Sequence, residues 1–175
     1  MERRAERLRS MIRVDHAGEY GAKRIYEGQL RVLSDLSVKQ KVQKMYENEL
    51  VHLDYFEKQL KERSIRRSIL IPFWHYFSWG LGALSALLGS EYAMLCTTVV
   101  EGVIDEHYSD QLEELKKSDP NEKNLIDTIQ RFRQDELDHK DVASSYEPQK
   151  GPTYYIFSAL VKFTVRTAIA FSKRV

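Results

Sequence analysis

The stretch "DELDHKDV", residues 135–142, contains Glu136 and His139 three positions apart. The same spacing occurs earlier in "NELVHLDY", where Glu49 precedes His52. On an α-helix, side chains at positions i and i+3 project from the same face about one turn apart, so each Glu and His pair is placed to bind one metal ion. The two stretches therefore predict a helical protein that holds two metal ions.

A lone glutamate precedes each of these ExxH pairs at a similar distance. Glu19 lies 30 residues before Glu49, and Glu101 lies 35 residues before Glu136, so each half of the chain predicts one pair of helices. In an antiparallel four-helix bundle, one Glu from each of two helices and one ExxH pair from each of the other two meet and form a di-iron carboxylate site. Neither half provides the full ligand set alone.

The residue types suit iron. Carboxylates and imidazoles bind iron ions, and open coordination positions admit dioxygen. By analogy with such sites, we predict that Glu49 and Glu136 bridge the two ions. The other four ligands are predicted to bind one ion each: Glu19, His52, Glu101 and His139.

A simpler interpretation is that the ExxH pairs are exposed side chains, which is the commoner case for a single pair in a Glu-rich helix. Glu19 and Glu101, however, lie in the small-residue run "HAGEYGA" and the apolar run "TTVVEGVI". A buried carboxylate is costly there without a compensating cation, so the joint pattern favours metal. Asp135 and Asp54 are both placed to orient the imidazoles, and the sequence does not decide between them.

The composition excludes several other classes of protein. A chain of 175 residues with 42% hydrophobic content is long enough for one domain, residues 1–175, and short for two. Its net charge of +1 argues against a nucleic-acid partner. The single cysteine, Cys96, lies in an apolar run, which excludes an internal disulfide and favours a buried side chain in a reducing compartment.

Sparse glycine and proline and a helical periodicity predict an all-α protein. Ser37 is predicted to cap the second helix of the bundle. Asp119, before Pro120, is predicted to cap the fourth helix of the bundle, which follows the first apolar segment and the third bundle helix in the chain. We expect two pseudo-repeats, at about residues 3–63 and 90–146, each forming two helices of the bundle. Two apolar helices are expected in addition, at about residues 69–88 and 153–174.

The apolar segments suggest contact with a membrane. The first is about long enough to span a bilayer, but Pro72, Trp74 and His75 favour a helix that lies in the interface. Lys162 and Arg166 interrupt the second segment. Basic residues that flank the segments are candidate contacts for anionic lipid: Arg63, Arg66, Arg67, Lys173 and Arg174. The alternative is that both helices pack on the bundle or form a dimer interface.

Several longer stretches resemble the demethoxyubiquinone hydroxylase family, the di-iron monooxygenases of ubiquinone synthesis: "IRVDHAGEYGAKRIYEGQL", "ELVHLDYFE", "LGALSALLG", "AMLCTTVVEGVIDEHYSDQL" and "FRQDELDHKDVA". The resemblance covers nearly the whole chain. It implies a ferritin-like bundle that uses two iron ions and dioxygen to hydroxylate the ring of a polyprenylated demethoxy-quinol. The six metal ligands of the family match the six residues named above.

The resemblance also draws attention to His107 and Tyr108, which match a pair that the family associates with electron delivery and the substrate pocket. Tyr108 follows Glu101 by seven residues, almost two helical turns, so it is predicted to share the ligand face, with His107 about 120° away. Three positions depart from the family pattern beside the third bundle helix, and none is a ligand: Tyr92, Gly102 and Glu106.

The expected partners are a polyprenyl quinol and membrane lipid. The electron donor, NADH directly or a flavoprotein, is left open, as are a homo-oligomer and a partner that presents the lipid substrate. We expect a peripheral protein on the cytoplasmic face of a bacterial membrane or the matrix face of the mitochondrial inner membrane. The alternative function is that of a ferritin-like protein that oxidises iron or scavenges peroxide.

Overall fold

The computed structural model describes residues 2–172, in which every regular element is a helix and no strand occurs. The prediction of an all-α protein is confirmed, and the expected helices form with their ends displaced by a few residues. The helices are α1 (Glu2–Val32), α2 (Leu36–Glu62), α3 (Ile71–Leu87), α4 (Ser90–Ser118), α5 (Lys123–Ser144) and α6 (Pro152–Ser172). The candidate lipid contacts Lys173 and Arg174 lie outside the described residues.

The start of α2 differs from the prediction. The N-cap is Asp35, whose carboxylate accepts hydrogen bonds from the backbone N–H groups of Ser37 at 2.9 Å and Val38 at 3.1 Å. Ser37 is therefore inside the helix, and its assignment as the cap was wrong. A carboxylate two residues upstream satisfies the same N–H groups that the Ser37 hydroxyl was expected to serve.

The start of α5 also differs, because the helix begins at Lys123 with Glu122 as its N-cap residue. The predicted cap, Asp119, instead accepts a hydrogen bond from Arg4 of α1 and one from Ser118. Its carboxylate ties α1 to the end of α4 and does not cap α5. Tertiary ion pairing has thus replaced a local capping interaction.

Four helices contact one another in antiparallel pairs. Between α1 and α4, Arg7 pairs with Glu114 at 2.6 Å, while far along α1 the Gln29 amide donates to the Ala93 carbonyl at 2.9 Å. Helices α1 and α2 also run in opposite directions, since His16 lies 3.7 Å from Glu57 while Tyr46 bonds to Glu27. The same holds for α2 with α5, where His52 contacts Asp135 and Arg63 contacts Glu122. It also holds for α4 with α5, where Arg133 pairs with Asp105 and a Cβ atom at Gly102 would meet Lys140.

The core consists of apolar side chains from these helices, with Phe56, Leu115 and Ile129 fully buried in the larger cluster. Cys96 belongs to this cluster, as its apolar surroundings predicted. Burial raises the pKa of its thiol to about 12. The thiol is therefore inert as a nucleophile, since the thiolate is the reactive form.

Helix α3 packs on α1 so closely that the two backbones touch. A Cβ atom at Gly82 would lie 1.9 Å from the carbonyl oxygen of Ile25, and one at Gly28 would lie 2.2 Å from that of Trp79. The hydroxyl of Tyr20 also lies 2.6 Å from Nδ1 of His75. Only glycine permits this approach, which fixes α3 against the helix that carries Glu19.

Helices α3 and α6 present apolar faces to the outside. The exposed side chains are Phe73, Tyr76, Phe77, Leu84 and Leu87 on α3, and Tyr155, Ile156, Leu160, Phe163 and Phe171 on α6. Among the described residues, α6 is the single helix with the length and apolar composition to cross a membrane, and little of it is buried. Trp74, expected at the interface, is buried instead, with 8% of its surface exposed.

Candidate metal centre

Four helices bring together all six residues predicted as ligands, and all six are buried. One group contains Glu19, Glu49, His52 and Glu136, and a second contains Glu49, Glu101, Glu136 and His139; within each group the ligand atoms lie within 4.8 Å of one another. The groups therefore overlap, since both contain Glu49 and Glu136.

Many of the candidate metal-binding atoms in this cluster have no hydrogen-bond partner. Every one of the six side chains has at least one buried oxygen or nitrogen atom without a hydrogen bond, and in Glu49 and Glu136 both carboxylate oxygens are without one. Unpaired buried polar atoms are costly and are therefore rare in folded proteins. Metal ions would satisfy these atoms, so the residues fit a metal centre.

Charge points to the same conclusion. Burial raises the pKa of Glu49 well above its ordinary value, and the neighbouring carboxylate of Glu136 raises it further. Burial and Glu136 act on the pKa of Glu101 in the same direction. The carboxylates thus resist being ionised together. Four carboxylates in the two groups carry four negative charges when ionised, which two divalent cations would neutralise.

The pKa values of the two ligand imidazoles are shifted in opposite directions. Burial alone would lower the pKa of His52, but the carboxylates of Glu136 and Glu19 raise it to about 11. Burial lowers the pKa of His139. Both rings direct Nδ1 towards Glu136, at 3.1 Å from His52 and 3.3 Å from His139. Nδ1 is therefore the nitrogen that each ring offers to a metal ion.

Two buried tyrosines hold the lone glutamates in a crossed pattern. Tyr108 of α4 donates a hydrogen bond to Glu19 of α1, and Tyr26 of α1 donates one to Glu101 of α4. Sequence reasoning identified Tyr108 and missed Tyr26. The signal was present, because Tyr26 follows Glu19 by seven residues, as Tyr108 follows Glu101.

The outer nitrogens of the imidazoles are also contacted across the two halves. Nε2 of His52 lies 3.0 Å from the Asp135 carboxylate, and Nε2 of His139 lies 3.2 Å from the Asn48 amide. Asp54, the other candidate for this role, pairs with Lys58 at the surface at 2.5 Å. Sequence reasoning missed Asn48, although it directly precedes Glu49 as Asp135 directly precedes Glu136.

His107 does not reach the cluster. Its Nε2 lies 3.1 Å from Asp15, a buried carboxylate that also accepts a hydrogen bond from Gln111 at 2.7 Å. Burial raises the pKa of Asp15. Adjacent residues of α4 thus have different contacts. Tyr108 contacts the ligand Glu19, whereas His107 contacts Asp15, which lies one turn before Glu19 on α1.

The three positions that depart from the family pattern lie outside the cluster. Glu106 pairs with Arg166 of α6 at 2.6 Å, and the Tyr92 hydroxyl donates to Thr153 at 3.0 Å. A Cβ atom at Gly102 would contact the side chain of Lys140. Two of the three therefore attach α6 to α4.

Two cavities are lined by helices that carry the candidate ligands, and one of them includes the ligand His139 in its lining. A narrow apolar cavity of about 70 Å³ lies between α1, α3, α4 and α6, with Gly18, Gly21, Trp74, Phe77 and Val165 among its lining residues. A polar cavity of about 330 Å³ lies between α2 and α5, and its lining includes Lys41, Lys44, Asn48 and His139.

These features define a class: an all-helical protein with a buried cluster of four carboxylates and two imidazoles, arranged as two overlapping groups of possible metal ligands. The sequence model described as "Ubiquinone biosynthesis protein COQ7" matches residues 6–172. The chain belongs to this family, as the resemblance predicted.

Named relatives agree with that assignment. The chain is 41% identical to the human "NADPH-dependent 3-demethoxyubiquinone 3-hydroxylase, mitochondrial", over 94% of this chain and 76% of that protein. It is 42% identical to the "3-demethoxyubiquinol 3-hydroxylase" of Rhodospirillum rubrum over the same shares. It is 36% identical to the "5-demethoxyubiquinone hydroxylase, mitochondrial" of Saccharomyces cerevisiae, over 96% of this chain and 78% of the relative.

Proposed function

We propose that this protein hydroxylates the ring of a polyprenylated demethoxyubiquinol with dioxygen, at a centre of two iron ions, in a late step of ubiquinone biosynthesis. The observation that carries the proposal is the overlap of two buried ligand groups that share Glu49 and Glu136. The names of the relatives, all demethoxyubiquinone or demethoxyubiquinol hydroxylases, supply the reaction.

In this proposal Glu49 and Glu136 would hold both ions, because they are the residues common to both groups. Glu19 and His52 complete one position, and the other two ligands, Glu101 and His139, complete the second. Iron bound there would supply the activation of dioxygen and the electron-transfer chemistry that amino-acid side chains lack.

The fold that we propose is a ferritin-like antiparallel four-helix bundle, formed by α1, α2, α4 and α5 as one domain with two pseudo-repeats. The antiparallel contacts among these helices support it, as does the position of α3 between the two helix pairs in the chain. The crossed hydrogen bonds of Tyr26 and Tyr108 also join the two repeats at equivalent positions.

The overall reaction sets the demand for electrons. One oxygen atom of dioxygen replaces a ring C–H with C–OH and the other leaves as water, which consumes two electrons and two protons. These electrons come from an external reductant, and the NADPH in the names of several relatives supports a reduced nicotinamide as their source. Tyr108 and His107 are the residues that we propose to assist this delivery.

We propose that the apolar cavity receives the substrate. Gly18 lines it and is adjacent to Glu19 in sequence, and Val100 lines it and is adjacent to Glu101. A polyprenyl tail held against α3 and α6 would contribute binding energy away from the reacting ring and hold that ring in place. The protein's own contribution is therefore to bind the tail, position the ring and exclude water.

Helices α3 and α6 are proposed to lie in the membrane interface, because their outward faces are rich in exposed aromatic and aliphatic side chains. Arg63 and Arg67 form ion pairs with Glu122 and Glu57. Apolar contact is therefore expected to dominate over charge. The proposed location is peripheral: the matrix face of the mitochondrial inner membrane, or the cytoplasmic face of a bacterial membrane.

The deciding experiment loads the protein with iron under anaerobic conditions and then admits dioxygen together with a reductant and a long-tailed demethoxy-quinol. The expected product is heavier than the substrate by one oxygen atom, as determined by mass spectrometry. Iron oxidation without hydroxylated quinol would contradict the proposal and favour the iron-oxidising alternative.

A variant separates substrate binding from the metal centre. Phe77 lines the apolar cavity and is partly exposed, so Phe77→Glu should reduce quinol turnover much more than iron oxidation. Val51→Glu, at an exposed position of α2, is the matched control and should change neither. Equal loss of both activities in Phe77→Glu would indicate unfolding, and no loss would mean that the substrate enters elsewhere.

A further inference from the structure

The two ligand imidazoles have chemically different partners at their outer nitrogens. Nε2 of His52 faces the carboxylate of Asp135 at 3.0 Å, whereas Nε2 of His139 faces the amide nitrogen Nδ2 of Asn48 at 3.2 Å. The rings are otherwise oriented alike, since each directs Nδ1 towards Glu136. At Nε2 the two rings therefore differ in the chemistry of their partner, Asp135 for His52 and Asn48 for His139.

This difference bears on metal affinity. A metal-bound imidazole donates its other N–H group to an acceptor, which fixes the tautomer and the ring orientation and increases electron donation to the metal. A carboxylate is a charged acceptor and forms the stronger hydrogen bond. The Asn48 amide is neutral and turns its nitrogen towards His139, so it would have to rotate its oxygen towards the ring before it could accept such a hydrogen bond.

The two imidazoles also differ in their access to solvent. The polar cavity between α2 and α5 is lined by both Asn48 and His139, with Lys41 and Lys44 along its wall. The His52 ring lines none of the described cavities and stacks on Phe132 with ring centroids 3.9 Å apart. The end of the cluster with the weaker acceptor is thus also the end nearest to water.

We propose that the two ion positions are unequal: the position at His52, supported by Asp135, binds its ion more tightly, and the position at His139 binds more weakly and exchanges with solvent through the polar cavity. Asn48 and Asp135 are positioning residues that set this order. The inference rests on the proposed two-iron centre and specifies which ion enters and leaves more readily.

The test is an anaerobic titration of the metal-free full chain with iron(II), followed by Mössbauer spectroscopy with 57Fe and by the rate of iron removal by a chelator. We expect two binding steps, a single iron environment at one equivalent and biphasic removal. Asn48→Asp should tighten the second step by about 10-fold or more and slow the faster removal phase. Asp135→Asn should weaken the first step by a similar factor.

Several outcomes would overturn the inference. These are uptake of both ions in one step with equal affinity, cooperative uptake as a pair, or an unchanged second step in Asn48→Asp. Asp135→Asn tests the same order from the other position if Asn48→Asp fails to fold, as judged by circular dichroism. A protein that binds no iron would instead refute the proposed function, so the two failures are distinguishable.

Discussion

Tyr26 on α1 donates a buried hydrogen bond to Glu101 on α4, 75 residues further along the chain. Tyr108 on α4 returns an equivalent bond to Glu19 on α1, across 89 residues. Each lone glutamate is therefore held by a tyrosine from the other half of the protein. The two tyrosines therefore orient the carboxylates of Glu101 and Glu19 without the help of a metal ion.

The crossed tyrosines predict two similar losses of stability. In metal-free protein, Tyr26→Phe and Tyr108→Phe should each lower the free energy of unfolding by about 1–3 kcal/mol, because each leaves a buried carboxylate oxygen without its donor. Denaturant unfolding measures both. Tyr46→Phe is the control, since its half-exposed hydroxyl bonds to the partly buried Glu27 and should matter less. A negligible effect of both buried variants would contradict the crossed arrangement.

The overlap of the ligand groups predicts different iron contents for two variants. Glu136→Ala should lose most of both ions, since Glu136 belongs to both groups. Glu101→Ala should retain about one ion, because Glu101 belongs to one group only. The iron content per chain, measured on each purified variant, tests this prediction. Glu113→Ala, at the surface, should keep the full complement, and full occupancy in Glu136→Ala would exclude a bridging role.

The contact between α1 and α3 predicts a large effect of a single methyl group. Gly82→Ala should destabilise the protein by about 1–3 kcal/mol or more, because the added Cβ would meet the Ile25 backbone, which cannot rotate away. Gly80→Ala in the same helix is the control, with no atom within 4 Å of its Cβ, and should be neutral or stabilising by about 0.5–1 kcal/mol. Thermal unfolding should rank the two variants; the reverse order would mean that the helices pack differently.

The exposed face of α6 predicts binding to lipid. Phe163 is 71% exposed, so Phe163→Glu should weaken co-sedimentation with vesicles without lowering the unfolding temperature. High salt should release the wild-type protein only in part, because apolar burial persists when charges are screened. Val51→Glu should bind vesicles as the wild type does. Wild-type protein that stays in the supernatant with anionic vesicles would refute the interfacial position.

Ligand spacing within one helix could be predicted from the sequence, whereas most of the misses depend on how distant helices pack. The spacing of Glu136 and His139 is local to one helix, so the ligands were identifiable. The position of Asn48 directly before Glu49 repeats that of Asp135 before Glu136, but its pairing with His139, 91 residues away, also depends on how α2 and α5 are rotated against each other. Trp74 was misplaced for a related reason, because its apolar segment gave no indication of which face would turn towards α1.

The long-range contacts of the two tyrosines and the two imidazoles also determine when, during synthesis of the chain, the metal centre can form. They join residues 75 to 91 positions apart, so a nascent chain that ends before α4 contains none of these contacts. Contacts of such long range form late in folding, after the entropy of closing the intervening chain has been overcome. The centre is complete only once His139 has left the ribosome, and metal loading therefore follows synthesis of α5. Until then, the acidic side chains of the first helix pair depend on water or transient ions for their partners.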